Sequence, residues 1–445
     1  MEEFLQKQIH QGFIIYENYK WLINSYVLDF FTEDHWSKLP ESWKMLKKLN
    51  VNEIAELLDQ NGHSKTFMFP LSVLALKVIF QNTNITRIQT RMNFSCDMVK
   101  DEKLMKMFWK SVKLKKRHEI LAMSELCKEM ATKSGCIYIV DIGSGLGHLS
   151  RMLAYGYNFE VCSIEAEPYL TEQAKILSEN FDTFFNKKFG HKKQARHVNI
   201  RIEPDINNNE FLNIICSAFG IDKKDFQFGI VGLHPCGDLG PTLIRLYNEI
   251  PNIKYINVAG CCYMKLSTIE SLHAGFPLSQ YGKQRKYELC YHSKEIACHA
   301  IETYIDKLME GEYWKLKIHA YRATIEKILA KIQPEYKHIP LANVKYAKDL
   351  DFRSYCHKAT AKLLGDIIDA HQIENEEIQH CLEQWNSVVI FYSFRLFFAP
   401  LIESIILYDR LLCLIEKGSH ADLIPAFDNR ISPRMHVLQG LKRQI

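Results

Sequence analysis

The chain opens on an aromatic-rich stretch in which apolar positions such as Trp43, Leu46, Leu49, Ile54 and Leu57 recur near helical spacing, up to about Asp101. This pattern predicts a helical lead-in. A basic cluster of Lys113, Lys115, Lys116 and Arg117 then precedes Glu119-Ile120-Leu121 and a helix running to about Lys133. From there the period changes. Ile137-Tyr138-Ile139-Val140 is a short β-rich run that ends in Asp141 and a glycine turn, and helical periodicity resumes over residues 149–155. Residues 159–164, 198–202, 228–233 and 255–258 read as further strands, with a helix at 168–180. Strands alternating with helices imply parallel pairing, hence an open α/β sheet that binds ligands at the carboxyl ends of its strands. Past Cys262 the pattern returns to helices, through a polar stretch at Glu374-Asn375-Glu376-Glu377 and a strongly apolar segment at about 391–415. Residues 1–110 are thus expected to be a helical N-terminal domain and 111–300 the sheet domain, with 301–445 a mainly helical region packed on or extending it.

Length agrees with that division, since 445 residues at roughly 150 per domain make two to three domains. Hydrophobic residues at 47% and charged residues at 24% exclude disorder as the main state. A net charge of +4 excludes a polycation bound everywhere to nucleic acid, and leaves room for a local basic patch. The 13 cysteines are odd in number and irregularly spaced, which argues against a disulfide framework. With an N-terminus that lacks the apolar run of a secretory signal, they place the chain in a reducing compartment, cytoplasm or nucleus. Residues 387–407 are the most membrane-like, yet Arg395 and Glu403 interrupt them and Pro400 should kink or end a helix there. A packed hairpin or bent helix is expected, and no membrane contact.

The sharpest chemical feature is Asp141-Ile142-Gly143-Ser144-Gly145-Leu146-Gly147-His148, set where a strand hands over to a helix. Alternate glycines let the backbone turn tightly and let a ligand reach main-chain N–H groups. The dinucleotide fingerprint G-x-G-x-x-G would want glycine where His148 stands. The form present resembles the first motif of class I S-adenosylmethionine-dependent methyltransferases. Glu165, at the end of the second strand, suits the ribose hydroxyls of an adenosyl group, a role it would share with a nicotinamide cofactor. The fourth strand ends in His234-Pro235-Cys236-Gly237-Asp238, which brings His234 and Asp238 to the sheet edge as candidate bases; a plain turn with Asp238 capping the next helix is the bland alternative. The fifth ends in Cys261-Cys262-Tyr263, with Tyr263 a candidate wall of an acceptor pocket. A zinc site joining these cysteines to Cys236 and His234 is not expected, because no C-x-x-C pair anchors it. Lys187, Lys188, His191, Lys192, Lys193, Arg196, His197 and Arg201 form the densest basic stretch, either a solvated face or a guide for RNA phosphates.

Lys115-Lys116-Arg117-His118-Glu119, the glycine motif, the 232–238 run, Cys261-Cys262-Tyr263, Phe276-Pro277-Leu278-Ser279, the tail from Leu401 to Arg410, Phe427-Asp428 and Ser432-Pro433-Arg434 together resemble the methyltransferase-like protein 25 family, including its ribosomal RNA adenine dimethylase domain-containing branch. The resemblance runs from about residue 110 to the end. It implies a class I methyltransferase-like (Rossmann-like) α/β sheet with helical additions at both ends. Together with the residues read above, it gives S-adenosylmethionine as the expected cofactor, held by Asp141, Gly143, Gly145, Gly147 and Glu165, while the catalytic candidates remain His234, Asp238 and Tyr263 and no metal is expected. The His234-x-Cys236-Gly237 and Cys261-Cys262 runs are similar to those of a tRNA 2′-O-methyltransferase acting on the acceptor stem, with Pro235 and Tyr263 departing from that pattern. RNA is therefore the preferred acceptor, approached through Lys187, Lys188, Lys192, Lys193 and Arg196. A protein acceptor, a non-catalytic scaffold and an NAD-dependent oxidoreductase are the competing readings.

Overall fold

The computed structural model describes the chain apart from residues 60–66, 111, 190–193, 224–225, 269, 272, 311–312, 345–346, 348, 362–367 and 444–445, and apart from the side chains of 97, 99, 187–189 and 313–314. The chain divides into two units. One is built from Met1–Phe13, Ile85–Cys298 and Glu403–Ile445, the other from Ile14–Asn84 and His299–Ile402. This differs from the three consecutive segments that the pattern predicts, because a chain-terminal piece that pairs with a sheet belongs to that sheet wherever it stands in sequence.

In the first unit, helix α1 (Leu114–Ser134) leads into strand β1 (Tyr138–Ile142), followed by β2 (Glu160–Glu165), α2 (Pro168–Phe189), β3 (Arg196–Asn199), α3 (Asn208–Phe219), β4 (Phe228–Leu233), α4 (Leu239–Glu249) and β5 (Ile253–Ala259). Helix α5 (Ala399–Glu416), which enters this unit at Glu403, then leads into β6 (His420–Pro425) and β7 (His436–Leu441). The sheet has the order β3-β2-β1-β4-β5-β7-β6. Its first five strands are parallel, while β7 runs antiparallel to both β5 and β6. This is the class I methyltransferase-like, Rossmann-like arrangement that the glycine motif implies.

The two antiparallel strands lie within the region 301–445 expected to be mainly helical, and the pattern does not predict them. β7, His-Val-Leu-Gln-Gly-Leu, is buried at its first five positions, so it lacks the alternation that marks a half-exposed strand. Its one interior amide is satisfied across the sheet, where Gln439 donates to Asn257 Oδ1 at 3.2 Å. β4, in the middle of the sheet, is apolar and buried throughout because helices cover both of its faces, whereas the edge strand β3, Arg-His-Val-Asn, is only half-buried.

Register sets the site. Asp141 lies beside Ser163 on one side and Val231 on the other, and Leu233 lies beside Ala259. The carboxyl ends of β2, β1, β4 and β5 therefore open along one edge of the sheet, where the glycine turn and the chemically loaded loops follow.

The tail motifs act as fasteners of this unit. Asp409 of α5 accepts the backbone N–H groups of Leu278 (2.6 Å) and Ser279 (3.1 Å). Glu403 is 4% exposed and pairs with Arg87 (2.6 Å) and Arg434 (3.0 Å), while Arg434 also donates to the Ala297 carbonyl. His118 Nε2 accepts the Asp428 N–H at 2.8 Å.

The second unit is helical. The helix Lys317–Ile332 buries Ile325, Ile328 and Leu329 against Phe352, Tyr355, Cys356, Ile373 and Ile378. Trp43 meets Phe394 of the helix Trp385–Phe397 with ring centroids 4.7 Å apart. That helix ends at Phe397 and α5 begins at Ala399, which puts Pro400 in a first turn, where its missing N–H leaves no bond unmade. Among the described residues, Trp385–Glu416 is the one stretch long and apolar enough to cross a membrane, and 94% of its most apolar window is buried within the protein.

Candidate functional site

Beyond Ile142 the chain turns through Gly143, Gly145 and Gly147, with φ of +71°, +57° and +67°. Side chains disfavour that region, and glycine enters it freely. The N–H groups of Gly143 and Ser144 both donate to the Ile164 carbonyl, at 2.9 and 3.2 Å, which ties the turn to the end of β2. Gly145 N–H donates to Glu165 Oε2 at 2.8 Å, and Glu165 Oε1 accepts the Glu167 N–H at 3.0 Å. A Cβ added at Gly145 would meet nothing within 4 Å, so open space adjoins this carboxylate and the turn.

Asp141 does not face that space. It is 1% exposed and accepts the Ser150 hydroxyl at 2.6 Å, which fastens the helical turn His148–Arg151 behind the glycines. Burial pushes its carboxyl up to about 6. His148, at the position that excludes the dinucleotide fingerprint, is also interior. Its Nδ1 lies 2.7 Å from Arg151 Nη2, and burial, with the Arg151 charge, lowers the imidazole to about 3.

His234 follows β4 with a φ of +73°, a conformation that costs a non-glycine residue about 1–3 kcal/mol. Its N–H donates to the Ala259 carbonyl at 3.1 Å. Its Nε2 lies 2.9 Å from Glu119 Oε2, with the imidazole side chain 22% exposed and the carboxylate 1%. Ser432 donates to the other carboxylate oxygen at 2.7 Å. Burial pushes the Glu119 carboxyl up, but His234, Ser432 and Lys115 outweigh it and hold the group below its ordinary value. The sequence motif includes Glu119 without giving it a role. A signal for one exists, since it is the one carboxylate on the buried face of α1, beside Ile120, Met123 and Leu126.

Asp238 stands at the head of α4 without capping it; its Oδ1 accepts the Ser267 N–H at 2.9 Å and so pins the loop after β5. Tyr263 is displaced from its expected place. It is 2% exposed, its hydroxyl donates to Glu403 at 3.3 Å, and the guanidinium groups of Arg410 and Arg434 lie 5.5 and 5.9 Å from its ring. It fills an ionic cage in the core and does not wall an open acceptor pocket, because the turn after β5 folds it inward.

Three thiols converge beside His234. Cys236 Sγ lies 3.1 Å from Cys261 Sγ and 3.4 Å from Cys262 Sγ, and the vicinal pair is separated by 3.5 Å. Hydrogen bonds from Cys261 and Cys262 lower the Cys236 thiol, while that of Cys261 is raised. The absence of C-x-x-C spacing therefore does not argue against a metal. Adjacent strand ends bring these ligands together where local spacing could not.

The basic stretch between α2 and β3 is divided. Arg196 belongs to β3 and pairs with Glu160 at 2.7 Å, and His197 bonds Ser178 at 2.8 Å, its imidazole lowered to about 4 by burial. Neither forms a free basic loop. Lys192 and Lys193, and the side chains of Lys187 and Lys188, lie outside the described residues. Lys113 and Lys115 are exposed at the head of α1, and Lys115 Nζ is 3.7 Å from Glu119.

Residues 115–269 match a family described as a methyltransferase domain, a span that includes Glu119, the glycine turn, Glu165, His234 and the three cysteines. The chain is 29% identical over 230 residues to "Probable methyltransferase-like protein 25" of Mus musculus, and 30% identical over 229 residues to the protein of that name in Homo sapiens. Each alignment covers 48% of this chain and 37% of the relative. These relatives carry the family name to which the motifs point, and the chain spans little more than a third of their length.

Proposed function

We propose that the methyltransferase domain of residues 115–269 transfers a methyl group from S-adenosylmethionine to RNA. The observation that carries this reading is the juxtaposition, along one sheet edge, of the Gly145–Glu165 hydrogen bond with the Glu119–His234 pair. Gly143, Gly145 and Gly147 would border the amino-acid portion of the cofactor and Glu165 its ribose, while Asp141 acts from behind by holding the turn through Ser150. When bound, S-adenosylmethionine supplies a methyl group already activated by its sulfonium. The chain's task is then alignment and proton removal.

Glu119 orients His234 for the second task. With Nε2–H donated to the carboxylate, Nδ1 keeps the lone pair and can take a proton from an acceptor hydroxyl or amine. Asp238, committed to Ser267, is a positioning residue in this scheme. The RNA assignment is supported by the exposed Lys115, one turn from Glu119, and Lys113, just before the helix, and by the likeness of the His234-x-Cys236-Gly237 and Cys261-Cys262 runs to a tRNA 2′-O-methyltransferase.

Calorimetry with S-adenosylmethionine and with NAD tests the cofactor. Heat with the first and none with the second is expected. Glu165→Ala should weaken binding about 10- to 100-fold, the size of a lost charge-assisted hydrogen bond of about 1.5–3 kcal/mol, and should weaken binding more than it disturbs folding, although the carboxylate also accepts the Gly145 and Glu167 N–H groups. Binding of NAD alone would transfer the reading to the oxidoreductase; binding of neither would leave a scaffold.

Titration of RNA against salt tests the acceptor. Wild type should show steeply falling affinity. Serine at Lys113 and Lys115, and separately at Lys187, Lys188, Lys192 and Lys193, should reduce the slope by about 0.7 for each single-strand phosphate that is no longer neutralised. Undetectable RNA binding at low salt would move a protein acceptor ahead.

A further inference from the structure

We propose that Cys236, Cys261 and Cys262 form a three-thiolate site for a thiophilic divalent cation, zinc, at the carboxyl ends of β4 and β5. The three sulfurs form a nearly equilateral triangle with edges of 3.1, 3.4 and 3.5 Å. Around a tetrahedral zinc with Zn–S near 2.3 Å, thiolate sulfurs lie about 3.8 Å apart, so an ion would open the triangle's edges by about 0.3–0.7 Å. A disulfide, with sulfurs about 2.05 Å apart, would take one pair and leave the third thiol stranded.

The backbone builds this triangle. The pairing of Leu233 with Ala259 aligns the ends of β4 and β5, and the loops that follow carry the thiols toward each other. Gly237, at φ +57°, lets the first loop pack on the second: a Cβ there would stand 3.0 Å from Lys265 Cβ and 3.1 Å from its carbonyl oxygen. A side chain at that position would push Cys236 away from its partners.

Other cysteines do not share this arrangement. Cys127, Cys136, Cys162, Cys356 and Cys381 are buried singly, as small apolar residues commonly are. Cys236 is exposed and its two partners are half-buried, which gives an ion a way in. The second cluster of ligand-type groups, Asp29, Glu326 and His338, contrasts with it, since Lys337 at 3.2 Å from Asp29 already supplies a positive charge there.

Among the described residues, three ligand atoms make up this cluster, and tetrahedral zinc would keep its fourth position for water or an incoming group, as catalytic zinc sites do and structural ones do not. Helix α4, which follows the Cys236 loop, begins against the glycine turn, since a Cβ on Gly143 would lie 3.4 Å from Leu239 Cδ2. On the proposed function, the ion would thus sit near the edge of the sheet where methyl transfer takes place. That role rests on the methyl-transfer reading, whereas metal binding does not.

The test is elemental analysis and X-ray absorption of the full chain, purified without affinity metals and reconstituted with zinc under a thiol reductant. About one equivalent is expected, with three sulfurs near 2.3 Å and one lighter ligand. Cys236→Ala should fall to about a tenth of an equivalent, whereas Cys236→His, which restores a zinc ligand, and Cys413→Ser, which lies outside the cluster, should retain the ion. Failure of the wild-type chain to take up stoichiometric zinc would overturn the proposal. So would full occupancy in both Cys236→Ala and Cys261→Ala, or a Cys236–Cys261 disulfide that persists in reductant. The wild-type absorption spectrum decides even where a variant does not fold, and calorimetry with S-adenosylmethionine on the same samples separates this outcome from failure of the methyl-transfer reading.

Discussion

Glu403→Ala is expected to lower the unfolding free energy of the sheet-containing unit by about 3–5 kcal/mol, the loss found when one member of a buried ion pair is removed. The carboxylate holds Arg87 at 2.6 Å and Arg434 at 3.0 Å and accepts the Tyr263 hydroxyl at 3.3 Å, at a site where it is 4% exposed. Arg410 stands over the ring of the same tyrosine. Removing the acid deprives a cluster of buried guanidinium groups of its shared counter-charge, a loss that water is poorly placed to repair. Against a typical total of about 5–15 kcal/mol, that loss can decide whether the chain folds at 37 °C. Urea denaturation monitored by a probe in this unit measures it, since a chain of two units need not unfold in one step.

A pH dependence follows with a definite sign. Burial pushes the Glu403 carboxyl up, yet Arg434 and Arg87 outweigh it and hold the group below its ordinary 4.5. A lowered native value means that this contribution is complete above the unfolded-state value and is lost as pH falls through the folded one. Wild type should therefore lose stability below about pH 4.5 more steeply than Glu403→Ala, so that the two curves converge in acid. A gap that stays constant down to acid pH would show that packing, not charge, is responsible.

His234→Ala should reduce turnover at saturating S-adenosylmethionine by about 10²–10⁴-fold, the usual contribution of a general base, with cofactor affinity unchanged. Release of S-adenosylhomocysteine from a productive acceptor measures it. Added imidazole should recover part of the rate, because the cavity left at His234 admits the missing ring beside Glu119. Glu119→Gln should reduce the rate by a smaller factor and should not respond to imidazole, since the ring is still present and only its orienting charge is gone. Equal loss of cofactor binding and turnover in His234→Ala would assign His234 to the fold of the β4 turn, to which its φ of +73° also contributes.

The same site shows how far one chain of letters can be read. The glycine turn is legible because its requirement is local: three positive φ values within five residues of a strand end need glycine at those places and at no others nearby. Glu165 is legible because parallel strands of similar length end level, and their carboxyl ends are where an α/β sheet binds. The hinge at Pro400 is legible too, since proline's missing N–H acts on its own backbone.

Contacts between residues far apart in the chain are not. Glu119 reaches His234 from helix α1, and Ser432 closes the same group from a segment hundreds of positions away; no spacing rule encodes either. The position of Tyr263 just after a strand end suggests a pocket wall, whereas the direction of its side chain depends on Glu403, Arg410 and Arg434, which arrive with the tail. β7 is hidden for a related reason, since a strand buried on both faces has no period to display and its identity rests on pairing with β5; β6, a half-exposed edge strand, joins the sheet through β7.

The sequence by itself determined the parallel sheet, the glycine turn and its acid, because these follow from backbone sterics and from periodicity over a few residues. The tertiary structure alone decided which buried charges meet, that His234 has a carboxylate partner, and that three cysteines without metal-binding spacing share one point. Those outcomes depend on register between strands and on closure of long loops, which are settled by the burial of the whole core and not by any stretch of the chain on its own.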